Sequence, residues 1–364
     1  MERPLKFRLH IISPVHIGCD DVYEPTNFVI DEKKQKLIEF DPLDFIKSLS
    51  AEDRQKFTAI CMQGNISSIV SIYKFIADRQ VTGREVEIAT GLLSHYKRVK
   101  ELSTYDEKKI RQELNQFTIS RTAYNPHDNK PYIPGSSLKG SLRTAYLSRL
   151  AKDKGVTKYK GKAKELEKEL LGGEFSSDPF RMVKVSDFLP VGDVKTKVVY
   201  AVNKKKKTSK FEAKGPFQIF ETIKEGAIFE GVINIQHPEQ LAGIKKPIAA
   251  EDLLKAINDF YIPAVKEENN VTREINAGST VDSRINEKFK GKLGQTAFLL
   301  RIGRHSGAEA VTIEGNRWIK ISPPGKQPRF SDKGATTIWL ASETSRPTTN
   351  NGLIPFGWAV VEVL

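Results

Sequence analysis

Apolar and polar residues alternate strictly across Leu5-Lys6-Phe7-Arg8-Leu9-His10-Ile11. A strand here turns Leu5, Phe7, Leu9 and Ile11 toward a core and Lys6, Arg8 and His10 away from it. After a turn-rich stretch at 13–26, Phe28-Val29-Ile30 and Leu37-Ile38-Glu39-Phe40 flank a polar loop and read as a hairpin. Asp41-Pro42 marks a helix start, because proline fits the first turn, where its missing N–H costs nothing. The spacing predicts helices through most of residues 50–115, among them 51–62 and the charged segment 105–114, then a strand at 116–123. Beyond Gly172-Gly173 the pattern changes to short strands at 181–185, 196–202, 217–222 and 227–235. An amphipathic helix follows at 251–265, then a polar stretch to Lys292 that reads as flexible. A strand at 297–302, a glycine-bearing loop and an apolar strand at 358–364 complete the pattern.

Strands and helices recur in a similar order on both sides of the double glycine. That predicts an α+β fold of two domains, residues 1–175 and 176–364, with inserted helices and basic loops. At 364 residues and 39% hydrophobic content, each part can build an ordinary core. No window approaches 18 consecutive apolar residues, and the opening residues carry no apolar signal segment. Export and membrane spanning are thereby excluded as first readings, and the expected location is the cytoplasm. Only two cysteines occur, Cys19 and Cys61, outside any CxxC pair, so neither a disulfide framework nor a cysteine zinc site is supported. Lys+Arg exceed Asp+Glu by 58 to 45, a formal charge of +13 that suits a phosphate backbone, an anionic membrane or an acidic protein without choosing among them.

The sharpest local signal is Tyr132-Ile133-Pro134-Gly135-Ser136-Ser137-Leu138-Lys139-Gly140-Ser141-Leu142-Arg143. Pro-Gly makes the turn, Ser136 or Ser137 supplies the N-cap, and Leu138, Leu142, Ala145, Tyr146 and Leu150 form an apolar stripe at helical spacing. The free N–H groups of such a helix start attract phosphate, the two serines add donors, Gly140 admits a close backbone, and Lys139 and Arg143 lie four apart on one flank. The bland alternative is a well-capped surface helix with solvated charges. Nine Lys/Arg between 139 and 164, opposed only by Asp153, favour the anion-binding reading. A mononucleotide P-loop is excluded, because Ser141 stands where the lysine after the second glycine belongs.

Weaker signals lie elsewhere. The run Lys204-Lys205-Lys206-Lys207, flanked by Lys210 and Lys214, reads as a mobile basic loop able to fold over an anionic ligand. In Gly303-Arg304-His305-Ser306-Gly307 the glycines permit a nest of N–H groups around a phosphate, with Arg304 as counter-charge; a tight connection between strands is the alternative. His16, Cys19, Asp20 and Asp21 read as a polar turn rather than a metal site, since no second ligand pair accompanies them. Neither metal nor cofactor is expected. Trp318, Trp339 and Trp358 are most simply core or interface residues, with base stacking as the other use of such rings.

The segment Pro134 to Arg143 resembles the signature of the RAMP superfamily of CRISPR-Cas proteins. Ser13-Pro14-Val15-His16-Ile17-Gly18 resembles the first loop of these subunits, and residues 300–311 their late glycine-rich loop. Within the superfamily the chain most resembles the family of fifth subunits of type III-A (Csm) effector complexes. The resemblance implies two ferredoxin-like, RNA-recognition-type domains that hold crRNA and cap the backbone filament near the 3′ end of the guide. It implies neighbouring Csm filament subunits as partners, with host nucleases that trim the guide docking nearby. Ser136, Ser137, Lys139 and Arg143 would hold phosphates, and His16, Gly18 and Gly303 to Gly307 would form the other walls of the groove. The usual RNP1 aromatic pattern is absent, so binding through phosphates and 2′-hydroxyls is the expectation. Filament subunits that cut target RNA carry an aspartate about where Thr26 stands here, unless the alignment slips onto Asp20 or Asp21. The expected protein is therefore non-catalytic. The runner-up is a metal-independent RAMP endoribonuclease that processes CRISPR RNA, using His16 or His305 for acid-base work.

Overall fold

A computed structural model describes residues 5–207, 215–238, 243–244, 246–322 and 327–364; Lys210 and Lys214 of the lysine-rich segment lie outside them. The chain begins with β1 (Leu5–Ile11), β2 (Gly18–Val22), β3 (Phe28–Asp31) and β4 (Lys36–Glu39). Then come α1 (Pro42–Ser48), α2 (Ala51–Met62), α3 (Ile66–Ala77), β5 (Arg84–Ile88), α4 (Thr90–Lys100), α5 (Glu107–Gln116) and β6 (Ile119–Thr122). The middle holds α6 (Gly135–Asp153), α7 (Ala163–Leu171), β7 (Val183–Val185), β8 (Leu189–Pro190), β9 (Thr196–Lys205), β10 (Gln218–Ile223) and β11 (Ile228–Ile235). The remainder is α8 (Ala250–Glu274), α9 (Val281–Phe289), β12 (Ala297–Arg301), β13 (Ile319–Ile321), β14 (Arg329–Ser331), β15 (Thr337–Ser342), β16 (Ile354–Pro355) and β17 (Trp358–Val363).

The α+β class expected from the pattern is what the chain adopts. One sheet runs β12-β17-β1-β11-β7, with β8 also on β11; the other runs β2-β6-β10-β9-β5-β4-β3, with β15 on β9 and β16 on β15. Strands from both sides of residue 175 enter each sheet. The alternation read in Leu5 to Ile11 explains the centre of the first one. Phe7, Leu9 and Ile11 are buried, and β1 pairs antiparallel with β11 on one edge and β17 on the other. α6 and α8 cover this sheet, so Leu138, Leu142 and Ala145 share one core with Ile257, Phe260 and Tyr261. A second core joins β3, β4, β5 and β9 to α3 and α4.

Local chemistry sets several element ends. Asp41 caps α1, accepting from Leu43 N at 2.7 Å and Asp44 N at 3.1 Å. Gly172 ends α7 in the left-handed region at φ 77°, so the double glycine is a helix stop. Two expectations need correction. The stretch read as flexible is largely helical, because Val281, Ile285 and Phe289, spaced by four, are all buried along α9, and α8 continues to Glu274. The lysine run is not a free loop: Lys204 and Lys205 end β9 opposite Ile338 and Thr337, and Lys206 N donates to Thr336 O at 3.0 Å. Strand pairing there outweighs side-chain repulsion. No helix among the described residues is long and apolar enough to cross a membrane.

Candidate nucleic-acid interface

After β1 the segment 12–18 passes between the two sheets and bonds to both. Ser13 Oγ accepts from Trp358 N at 3.0 Å, and Gly357 N donates to Pro14 O at 2.9 Å. On the other side Val15 exchanges backbone bonds with Ile223, Ile17 N donates to Thr122 Oγ1 at 3.1 Å, and Ala123 N donates to Ile17 O at 2.8 Å. His16 sits at the centre of this crossing and is only 1% exposed. Its Nδ1 donates to Glu221 O at 2.8 Å, and its ring stacks on Phe220 at 4.3 Å. Burial lowers its pKa, so the ring is neutral. His16 is therefore not a groove wall: it holds the crossing together from beneath.

The late glycine-rich loop folds over the same point. Arg304 N donates to His16 O at 2.8 Å, and Gly303 (φ 79°) passes so close that an added Cβ would lie 2.5 Å from that oxygen. Ser306 Oγ donates to Gly303 O at 2.6 Å and turns the loop back on itself. The nest of N–H groups expected here is thus partly spent inside the protein, with the Arg304 amide committed to His16. The Arg304 side chain remains exposed, its guanidinium 5.6 Å from the Phe220 ring. His305 adopts φ 61°, stacks on Trp339 at 4.3 Å, and donates from Nε2 to Gln218 Oε1 at 2.8 Å. Burial, reinforced by Arg304 and His16, pushes its pKa down to about 4. Both histidines of the acid-base alternative are accordingly neutral near pH 7 and engaged with protein partners.

The third motif docks against the base of this loop, since Ser141 Oγ in α6 donates to Arg301 O at 2.7 Å. The α6 start departs from expectation. Pro134 holds the N-cap position and has no capping side chain, while Ser136 and Ser137 fall within the first turn. Gly135 N donates to Asp187 Oδ1 at 2.8 Å, so a carboxylate of the protein already occupies the anion-attracting helix end. Gly135 is required, because a Cβ would lie 2.3 Å from Val185 O. Arg143 is likewise engaged, with Glu167 at 2.9 Å and Asp178 at 2.8 Å. Lys139 differs: its pKa is lowered by partial burial and then by Lys184, with Asp178 pulling the other way, and neither lysine makes an ion pair with a carboxylate among the described residues. Gly140 is exposed with nothing within 4 Å of an added Cβ, so a ligand backbone can approach it.

The structure thus brings His16, Gly18, Gly303 to Gly307 and the α6 start to one seam. It leaves Lys204 to Lys207 at the β9 end beside the far side of this loop, where Lys206 Nζ pairs with Glu309, two residues beyond Gly307, at 2.5 Å. Lys184 and Asp187 went unread in the sequence, as did the buried network beneath the seam. In that network Arg84 bonds Glu39 at 2.8 Å and the fully buried Glu221 at 2.9 Å, and Arg121 bonds Glu39 at 2.8 Å. Arg301 carried a signal that was available, a lone charge in the apolar run Ala297-Phe298-Leu299-Leu300. It is buried, paired with Glu268, and donates to Phe356 O at 3.0 Å. Asp21 accepts from Tyr124 OH at 2.8 Å. No group of three or more His, Cys, Asp or Glu suited to a metal occurs among the described residues.

A family model described as the RAMP superfamily matches residues 8–306. Over 199 residues the chain is 28% identical to the CRISPR system Cms protein Csm5 of Methanocaldococcus jannaschii, covering 51% of this chain and 43% of that protein. It is 26% identical over 222 residues to the protein of the same name from Streptococcus thermophilus, covering 57% and 58%. The Enterococcus italicus protein of that name is 24% identical over 207 residues, covering 55% and 52%. The chain therefore spans about half the length of the curated relatives it matches. In fold it is similar to a chain in the cryo-EM structure of a type III-A Csm–crRNA–target RNA ternary complex. The TM-score is 0.65 at 18% identity, covering 99% of this chain and 100% of that one. The crystal structure of T. onnurineus Csm5 gives a TM-score of 0.55 at 16% identity, covering 97% and 99%.

Proposed function

The chain belongs to the RAMP superfamily, and on that premise we propose that it is a non-catalytic crRNA-binding subunit of a type III-A (Csm) effector complex. In this reading it caps the backbone filament at the 3′ end of the guide and serves crRNA maturation and antiviral defence. Its partners are crRNA and the neighbouring filament subunits, with host trimming nucleases docking at the same end. The shared name of the curated relatives supports the assembly. The observation that carries RNA binding is the seam itself. Three motif segments far apart in sequence converge there, and Lys139, Lys184 and Arg304 remain without carboxylate partners among the described residues. Lys139 and Lys184 repel each other with only Asp178 among the described residues to offset them, and a phosphate backbone relieves such repulsion without any base being read.

The test uses the full chain and an end-labelled CRISPR-derived RNA across a salt series, run on native and denaturing gels. The wild type is expected to shift the RNA in a salt-sensitive way and leave it full length. Lys139→Ala combined with Arg304→Ala should reduce the slope of log affinity against log salt by about 1.4, two single-strand phosphate contacts being lost. An unchanged slope would refute the placement. Discrete shorter products that vanish on substitution of His16 or His305 would replace this reading with an endoribonuclease.

A further inference from the structure

Trp318 and Phe330 are 72% and 49% exposed, yet they are ordered against each other, their rings 4.9 Å apart and 14° from parallel. Phe330 lies on β14 and Trp318 immediately precedes β13; in this antiparallel pair Lys320 stands opposite Phe330 and two residues from Trp318. A second basic segment is fastened beside them. Lys158 N donates to Gly315 O at 2.9 Å, Tyr159 N to Asn316 Oδ1 at 3.0 Å, and Asn316 Nδ2 to Val156 O at 2.8 Å. Beyond Phe330, Asp332 draws Lys158 Nζ to 3.8 Å. The lysine-rich loop between α6 and α7 and the aromatic pair, more than 150 residues apart, therefore form one surface. Of the core, interface and base-stacking uses open to the tryptophans, Trp358 takes the core, being fully buried, and the exposure of Trp318 leaves it the other two.

We infer that the Trp318–Phe330 pair is a stacking platform for an unpaired base of single-stranded RNA, with the surrounding cations holding the flanking phosphates. The inference rests on the RNA-binding reading above and adds a second point of contact outside the seam. Charge selects the occupant. Lys320 shares the face of the rings, and it, Lys160 on the fastened loop and Lys333 just beyond β14 are exposed and lack carboxylate partners among the described residues, so positive charge accompanies the rings rather than the apolar surround of a protein-docking patch. Every base offers a π-face to such rings, whatever its identity, while the exposed cations of the adjoining segments suit the phosphates on either side of it. The parallel ring pair is also preorganised, since its geometry is fixed before ligand arrives.

The experiment uses the full chain, an oligouridylate, and an abasic ribose-phosphate chain with the same number of phosphates. Binding of the oligouridylate is expected to quench tryptophan fluorescence, and the abasic chain to bind without that quenching. Trp318→Ala with Phe330→Ala should weaken oligouridylate binding about tenfold while leaving abasic binding and the melting temperature unchanged. Trp318→Phe should keep the affinity and lose the quenching. A double variant that binds both probes as the wild type does overturns the platform, as does one that loses both equally. In either case salt-sensitive binding by the wild type leaves the RNA-binding reading standing. A wild type that binds neither probe overturns both.

Discussion

Three glycines at the seam carry different demands. Gly303 combines φ 79° with a backbone oxygen 2.5 Å from where a Cβ would stand, and that oxygen, on His16, is fixed by the Arg304 amide. Gly307 has φ 80°, but its nearest neighbour is a side-chain atom, the Glu309 carboxylate at 3.3 Å, rather than backbone. Gly18 has neither constraint. Alanine is therefore expected to cost on the order of 3 kcal/mol at Gly303, about 1–2 kcal/mol at Gly307, and within roughly 0.5 kcal/mol of nothing at Gly18, read from urea midpoints. Equal costs at Gly303 and Gly18 would contradict the interlock. Sequence alone placed all three in loops near a ligand, but it could not rank them, because the rank depends on a carbonyl far away along the chain.

At the scale of elements, the apolar stripe of α6 was readable from spacing, while its N-cap fell two to three residues earlier than Ser136 or Ser137, on Pro134. Its charges were not readable. Arg143 shares a flank with Lys139 at i,i+4, but the tertiary neighbours Glu167 on α7 and Asp178 claim it, so it ties α6 to α7 and to the turn ahead of β7. Arg143→Ala is expected to cost about 1–2 kcal/mol of stability and leave the salt slope of RNA binding unchanged. A reduced slope with unchanged stability would return Arg143 to the interface. The same limit explains the other misreadings. Asp187 reaches the α6 start from 52 residues away, and α9 hides its stripe in a polar composition. The β3–β4 hairpin, the Asp41 cap and the Gly172 helix stop were legible because their partners lie within a few residues.

Across the whole molecule, stability carries the imprint of buried imidazoles, His16 among them, and in two of them, in different places, the pKa is pushed far down. His95, on α4, packs against Phe117, Phe217 and Tyr200, and burial pushes its pKa down to about 4, as it does for His305. The native state keeps both rings neutral while the unfolded chain takes up protons below about 6.5. Stability is thus full above pH 6.5, falls as pH drops toward 4, and loses nothing further from these rings below that. Each ring contributes on the order of 2 kcal/mol. Urea midpoints should decline through this window, and His95→Gln with His305→Gln should flatten the decline; a slope that survives both substitutions would assign it to other groups. The sheets themselves were the least legible level, since their strand order joins segments that no local pattern relates. That order also bears on synthesis. His10 on β1 bonds Glu362 on β17 across 352 positions of chain. At about 5–20 residues per second, the ribosome leaves that edge of β1 without its partner for roughly 20–70 seconds. An alternating strand left open for so long invites pairing with the wrong neighbour, so the yield of this protein in a cell depends on what shields one short segment while the rest is being made.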